Sequence, residues 1–224
     1  MTTVTDIQKR LTSMGFPCGP IDGLVGPLTL GAMWDALDAL ETCQRGSVAP
    51  ETPIQTIPIE WMPWAQMERV IFHWTAGSNH ASVVDKEHYH FMIEGDGKLV
   101  RGDNSVLENQ APISGNYAAH TKNCNTGSIG ISLCGMAEAT EKPFNAGHYP
   151  ITEKQWKTLA KAIADLCERY AIPVTRSTVL SHAEVQPTLG IAQSGKWDIA
   201  RLPWDASVQG PIPVGDQMRA MVVG

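Results

Sequence analysis

The chain has 224 residues, 17 Lys and Arg against 23 Asp and Glu for a formal charge of −6, and 43% hydrophobic residues. That length buries a core in one large domain or in one medium and one small. The shortage of basic residues excludes nucleic acid as a partner held by phosphate charge. Charged residues at 18% together with seven Trp exclude a disordered chain.

No run approaches the roughly 20 apolar residues that span a bilayer. The opening MTTVTDIQKRL has no basic segment followed by an apolar stretch, so the protein is expected to be made in the cytoplasm without a signal peptide. Cys18, Cys43, Cys124, Cys134 and Cys167 form a scattered, odd set with no CxxC pair. They read as reduced fillers of the core, with a Cys124–Cys134 pair left open.

Residues 1–42 read as two short helices around the turn-rich GFPCGPIDGLVGP. The first carries Ile7, Leu11 and Met14 at helical spacing with Thr5 as its cap; the second runs from about Pro27 to Leu40. Residues 43–58, with several prolines and no hydrophobic period, read as a linker. An α/β pattern follows over 59–224. Arg69 to His73 is a short apolar strand, and His88 to Glu94 turns at Gly95-Asp96-Gly97 into Lys98 to Arg101 as a hairpin.

Ser128 to Leu133 is a third strand. Thr152 opens a helix with Gln155 as its capping-box partner, Trp156, Leu159, Ala160, Ile163, Cys167 and Tyr170 on one face, and Pro173 beyond its end. A strand near Thr178 to Ser181 delivers His182, and the remainder reads mostly as loop.

Seven histidines are the main chemical resource. His73 and His182 each close an apolar strand, where α/β sheets place their ligands. Lys196 and Asp198 lie two residues apart, on one side of an extended backbone. Two imidazoles, a carboxylate and a neighbouring amine suit a catalytic zinc, which takes three protein ligands and keeps a fourth position for water; a surface ion pair is the plainer reading of Lys196 and Asp198. A rival pair is His88 with His90, on one face of a strand, with Tyr89, Phe91 and Ile93 on the other. Spacing alone leaves both constellations open.

VIFHWTAG, HYHFMIEGDGKLVRG, AAHTKNCNTGSIGISLCG and SHAE followed by GKWD together resemble the zinc-dependent N-acetylmuramoyl-L-alanine amidases, whose fold is shared by phage amidase lysins and peptidoglycan recognition proteins. The resemblance covers most of residues 68–205. It implies an α/β fold with a mixed central sheet flanked by helices. It implies that His73, His182 and Asp198 bind Zn2+, that Tyr89 and Lys196 act on the scissile amide, and that His120, with Thr75 and Asn125, contacts substrate. One position departs: many members carry Glu after SIGI, where this chain has Ser132.

Ile7-Gln8, Leu11, Gly15, Gly19, Asp22-Gly23, Gly26-Pro27, Thr29 and Ala32-Met33 resemble the small all-α three-helix peptidoglycan-binding module of wall hydrolases. Its closing aromatic-Gln pair is Ala36-Leu37 here. The implied organisation is a wall-binding module over 1–42, a linker over 43–58 and an amidase domain over 59–224. The expected activity is hydrolysis of the amide joining N-acetylmuramic acid to L-alanine, by a monomeric endolysin-like enzyme that reaches the periplasmic wall after membrane breach. The alternatives are a non-catalytic peptidoglycan receptor and a zinc endopeptidase acting within the stem peptide.

Overall fold

The computed structural model describes residues 2–44 and 55–224. They form two compact units, one of residues 2–44 with 63–65, the other of 55–62 with 66–224.

The first unit contains helices α1 (Val4–Ser13) and α2 (Pro27–Gln44), two rather than three among the described residues. Thr3, not Thr5, caps α1: its hydroxyl accepts from the Asp6 N–H while the Asp6 carboxylate accepts from the Thr3 N–H. Leu11, Cys18, Ala32 and Ala36 form its core. Gln8 is buried and pins the intervening loop, donating toward the carbonyls of Pro20 and Leu24 and accepting from the Gly23 N–H.

Of the segment expected to be a linker, residues 45–54 lie outside the described residues. Residues 55–58 already belong to the second unit: Ile57 is fully buried, and the N–H groups of Thr56 and Ile57 donate to the Asp165 carboxylate.

The second unit is built on strands β1 (Arg69–Trp74), β2 (Phe91–Ile93), β3 (Leu99–Arg101), β4 (Ser128–Leu133) and β5 (Val179–Ser181) in the order β3-β2-β4-β1-β5. Only β3 runs antiparallel to its neighbour, so the sheet is mixed. The nearly continuous burial of β1 and β4 suits strands covered on both faces. Helix α3 (Val83–His88) precedes β2, and α4 (Glu153–Arg169) covers one face, with Trp156 edge-on to Phe72. Its Thr152–Gln155 capping box forms as the sequence suggests.

Helix α5 (His182–Leu189) lies on the other face, where Ile71, Leu180, Val185 and Cys124 pack together. A small hairpin of β6 (Arg201–Leu202) and β7 (Asp205–Gln209) leads into α6 (Pro211–Val223), which packs on α4 and β5.

Two further expectations fail. His88, expected to open the strand, instead ends a helix over residues 83–88, because Ser82 and Asp85 form a capping box that starts a turn before the strand can begin. The tail expected as loop holds α5, the hairpin and α6. Among the described residues Cys18, Cys124, Cys134 and Cys167 are buried and free. No described helix is long and apolar enough to cross a membrane.

Candidate metal centre

Side chains alternate along β1, so His73 shares the face of Ile71 and points toward α5 rather than α4. His182 is the first residue of α5, directly after β5, the neighbour of β1. Asp198 arrives on the loop after α5. Its carbonyl accepts from the Ala183 N–H at 2.6 Å, and the next-door Trp197 ring packs edge-on against Trp74 at 4.5 Å. Two imidazoles and a carboxylate therefore meet at the C-terminal ends of parallel strands, the place where such sheets hold ligands.

His73 Nδ1, His182 Nδ1 and Asp198 Oδ2 form a triangle with edges of 3.1, 3.2 and 3.2 Å. All three residues are buried. Burial drives the His73 pKa down to about 4, a shift that the Asp198 carboxylate opposes and that His182 and Lys196 reinforce. Burial alone would raise Asp198, yet the His182 and His73 rings beside it hold it well below the ordinary carboxylate range. A neutral His73 beside an ionised Asp198 is the pairing of protonation states a cation needs.

The far sides of both rings are also held. His182 Nε2 lies 2.9 Å from Oε1 of buried Gln193, whose Nε2 donates to the Lys122 carbonyl. His73 Nε2 lies 3.4 Å from Thr121 Oγ1, which lies 2.9 Å from His120 Nδ1. Neither Gln193 nor Thr121 stands out in the sequence, since their partners are 11 and 48 residues away.

Tyr89 caps the end of α3 and sets its ring 5.1 Å from that of His73. Burial and then the Asp198 charge push its phenol pKa up, against the polarity of nearby Ser132. The Ser132 hydroxyl is buried without a hydrogen-bonding partner and pairs in register with His73 on the adjacent strand. Lys196 is exposed at the rim, near enough for its charge to oppose protonation of His73. The segment turns at Ser194-Gly195 and again at Asp198 rather than running extended.

The three residues expected at substrate are placed differently. His120 is only 7% exposed, edge-on to His73 at 5.3 Å, and seated on Gly130, where a Cβ would come within 2.5 Å of its ring. It stands behind His73 instead of along an open groove. Thr75 accepts from the N–H groups of Gly77 and Gly135, and the Asn125 side chain accepts from the Thr121 N–H, so both tie loops beside the site.

The rival histidine pair is not a site. His88 is an exposed helical residue bonded to the Val84 carbonyl. His90 is buried, with Nε2 on Asn109 and Nδ1 accepting from the Gly130 N–H.

His90 carries a pH consequence. Burial lowers its pKa from 6.5 to about 4. Above pH 6.5 folded and unfolded chains are both neutral there, and the stability is fully present. As pH falls toward 4 the unfolded chain gains a proton the fold refuses, which removes about 1.4 kcal/mol per pH unit and roughly 3 kcal/mol in all. Urea unfolding at pH 7 and pH 4.5 should show a smaller acid loss in His90→Gln than in the parent; equal losses would clear His90.

Three buried ligand atoms converging at the ends of parallel strands form a group that could hold a metal ion. Residues 63–201 match the family model described as N-acetylmuramoyl-L-alanine amidase, and the chain belongs to that family. It is an amide hydrolase of peptidoglycan. No curated protein matches the chain.

Among solved structures, the endolysin amidase LysCS from Clostridium intestinale URNW is similar at 16% identity and TM-score 0.41, over 71% of this chain and 85% of its own. The Ph2119 endolysin from Thermus scotoductus MAT2119 bacteriophage is similar at 14% identity and TM-score 0.43, over 72% and 88%. The ectodomain complex of peptidoglycan recognition proteins LCa and LCx bound to tracheal cytotoxin is similar at 21% and TM-score 0.37, over 53% and 71%.

Proposed function

We propose that this amidase is zinc-dependent, that it cleaves the lactyl amide between N-acetylmuramic acid and L-alanine, and that His73, His182 and Asp198 hold the ion. The observation that carries this is the donor triangle. Ligands arranged tetrahedrally around zinc at 2.0–2.1 Å stand about 3.3–3.4 Å apart, close to the edges of 3.1 and 3.2 Å found here. Two neutral imidazole nitrogens and a carboxylate oxygen are all acceptors when their lone pairs converge, and a cation between them satisfies all three.

When bound, zinc supplies Lewis acidity, polarising a carbonyl and acidifying a water. The chain's own groups do the rest. The Tyr89 phenol, kept protonated by its raised pKa, is assigned to donate a hydrogen bond to the oxygen that gains negative charge, and then to relay to the leaving amino nitrogen the proton that the attacking water gives up, regaining one as it passes one on. Lys196 adds positive charge at the rim. Ser132 cannot serve as a base as a Glu would. Thr75 and Asn125 shape the flanking loops.

Tyr89→Phe should lower turnover about 100-fold to 1,000-fold while zinc content stays at the parental level. Near-parental turnover in this variant would remove Tyr89 from the chemistry and turn attention to Ser132.

The proposed setting is a monomeric lysin of phage type, made in the host cytoplasm and acting on the periplasmic wall once the membrane is breached. Its buried free thiols suit storage in a reducing compartment. Residues 1–42 are proposed to bind the wall; with a formal charge of −6 on the whole chain, affinity for an anionic envelope must come from shaped contacts.

Digestion of purified peptidoglycan tests the whole reading. New alanine amino termini without new reducing sugars support it, and a chelator should abolish them until zinc is returned. A different amino-terminal residue would indicate a peptidase. Activity indifferent to chelation would end the zinc proposal.

A further inference from the structure

Two hydrogen-bond chains converge on the metal centre from behind, and each ends on an acceptor that cannot reverse. We infer that Gln193 and the Thr121–His120 pair are positioning residues that fix His73 and His182 as Nε2–H tautomers, turning both Nδ1 lone pairs toward Asp198. The inference rests on the zinc reading above.

The direction of each chain follows from its terminus. The shorter one starts at Gln193, which is buried; its Nε2 donates to the Lys122 carbonyl at 2.9 Å, which assigns the other amide atom as oxygen. That oxygen stands 2.9 Å from His182 Nε2 and can only accept, so the proton lies on Nε2 and the lone pair on Nδ1.

The longer chain ends at the Ser128 carbonyl, also acceptor only, 3.3 Å from His120 Nε2. That places the proton of neutral His120 on Nε2 and leaves Nδ1 to accept. Thr121 Oγ1, 2.9 Å from that nitrogen, must then donate to it and keeps a lone pair for His73 Nε2 at 3.4 Å. His73 consequently carries its proton on Nε2 and presents Nδ1 to the triangle. Gly130 makes room for the intermediary, since any side chain there would collide with the His120 ring. Metal-bound histidines generally donate their second N–H in this way, and losing the partner costs 10-fold to 100-fold in metal affinity.

The test measures zinc dissociation constants by competition with a chromophoric chelator, 15N resonances of the imidazoles during zinc titration, and thermal midpoints of the metal-free proteins. Gln193→Met should weaken zinc about 10-fold to 100-fold. Thr121→Val, at the longer contact, should weaken it about 10-fold, and Thr121→Ser, which keeps the hydroxyl, should restore it. Zinc should shift Nδ1 of His73 and His182 while both Nε2 atoms stay protonated.

A merely structural role would lower the metal-free midpoints without this pattern of affinity and rescue. Zinc constants within about threefold of the parent in both Gln193→Met and Thr121→Val, or zinc on Nε2 of either ring, would overturn the inference. A parent chain that takes up no zinc would instead fail the metal reading itself.

Discussion

Asp198→Ala should reduce the release of alanine amino termini from purified peptidoglycan by about three orders of magnitude. Its carboxylate is the only negative charge in a donor set otherwise made of neutral imidazoles, and a catalytic zinc needs three protein ligands to leave one position free. Transition-state charge stabilisation by a metal amounts to several kcal/mol, and each 1.4 kcal/mol is a factor of ten in rate.

The loss should be chemical rather than structural. The tie from Asp198 to α5 runs through its backbone carbonyl, and the loop is held by Trp197 on Trp74; neither contact involves the deleted carboxylate. Zinc content after dialysis should fall with activity while the far-ultraviolet circular dichroism is unchanged. Activity within tenfold of the parent would mean that Asp198 is not a ligand.

The parts of this site legible in the sequence are those fixed locally. His73 and His182 follow runs of buried β residues, so strand ends and imidazoles could be read together. The helix from Val83 to His88 was legible in principle through Ser82 and Asp85, but HYHF reads as alternating strand, and that reading sets His88 and His90 on one face. A single helical turn removes the pattern and delivers Tyr89 from a helix cap.

The less legible parts depend on tertiary neighbours. Which of seven histidines stands behind the metal site is decided by a gap over Gly130, a feature with no local signal. Pro-Ile-Pro-Val-Gly at 211–215 looks like loop, yet it starts α6: proline is tolerated in a first turn, and the glycine is demanded by a carboxylate from another helix.

That carboxylate belongs to Glu184, and the second large effect is expected there. Glu184 is fully buried, one oxygen accepting from the Ser181 N–H at 2.8 Å and the other paired with Arg219 Nη2 at 2.8 Å. Arg219 also donates to the Val179 carbonyl and to Asp216. Burial raises the Glu184 pKa, and Arg219 is the main force opposing it.

Arg219→Met should therefore destabilise the fold by about 3–5 kcal/mol, the cost of leaving one member of a buried pair without its partner. The double variant Glu184→Gln with Arg219→Met should recover a large part of that loss, because it removes the stranded charge. Gly215→Ala should be damaging from the other side, since a Cβ there would lie 2.0 Å from Glu184 Oε2.

Because Glu184 anchors the turn that begins at Ser181 and His182, the single variants should also bind zinc more weakly. Urea unfolding and chelator competition on the same samples check both consequences. A loss under 1 kcal/mol in Arg219→Met would show that the pair contributes little to holding β5, α5 and α6 together. A large loss with unaltered zinc affinity would show that it stabilises the fold without positioning His182.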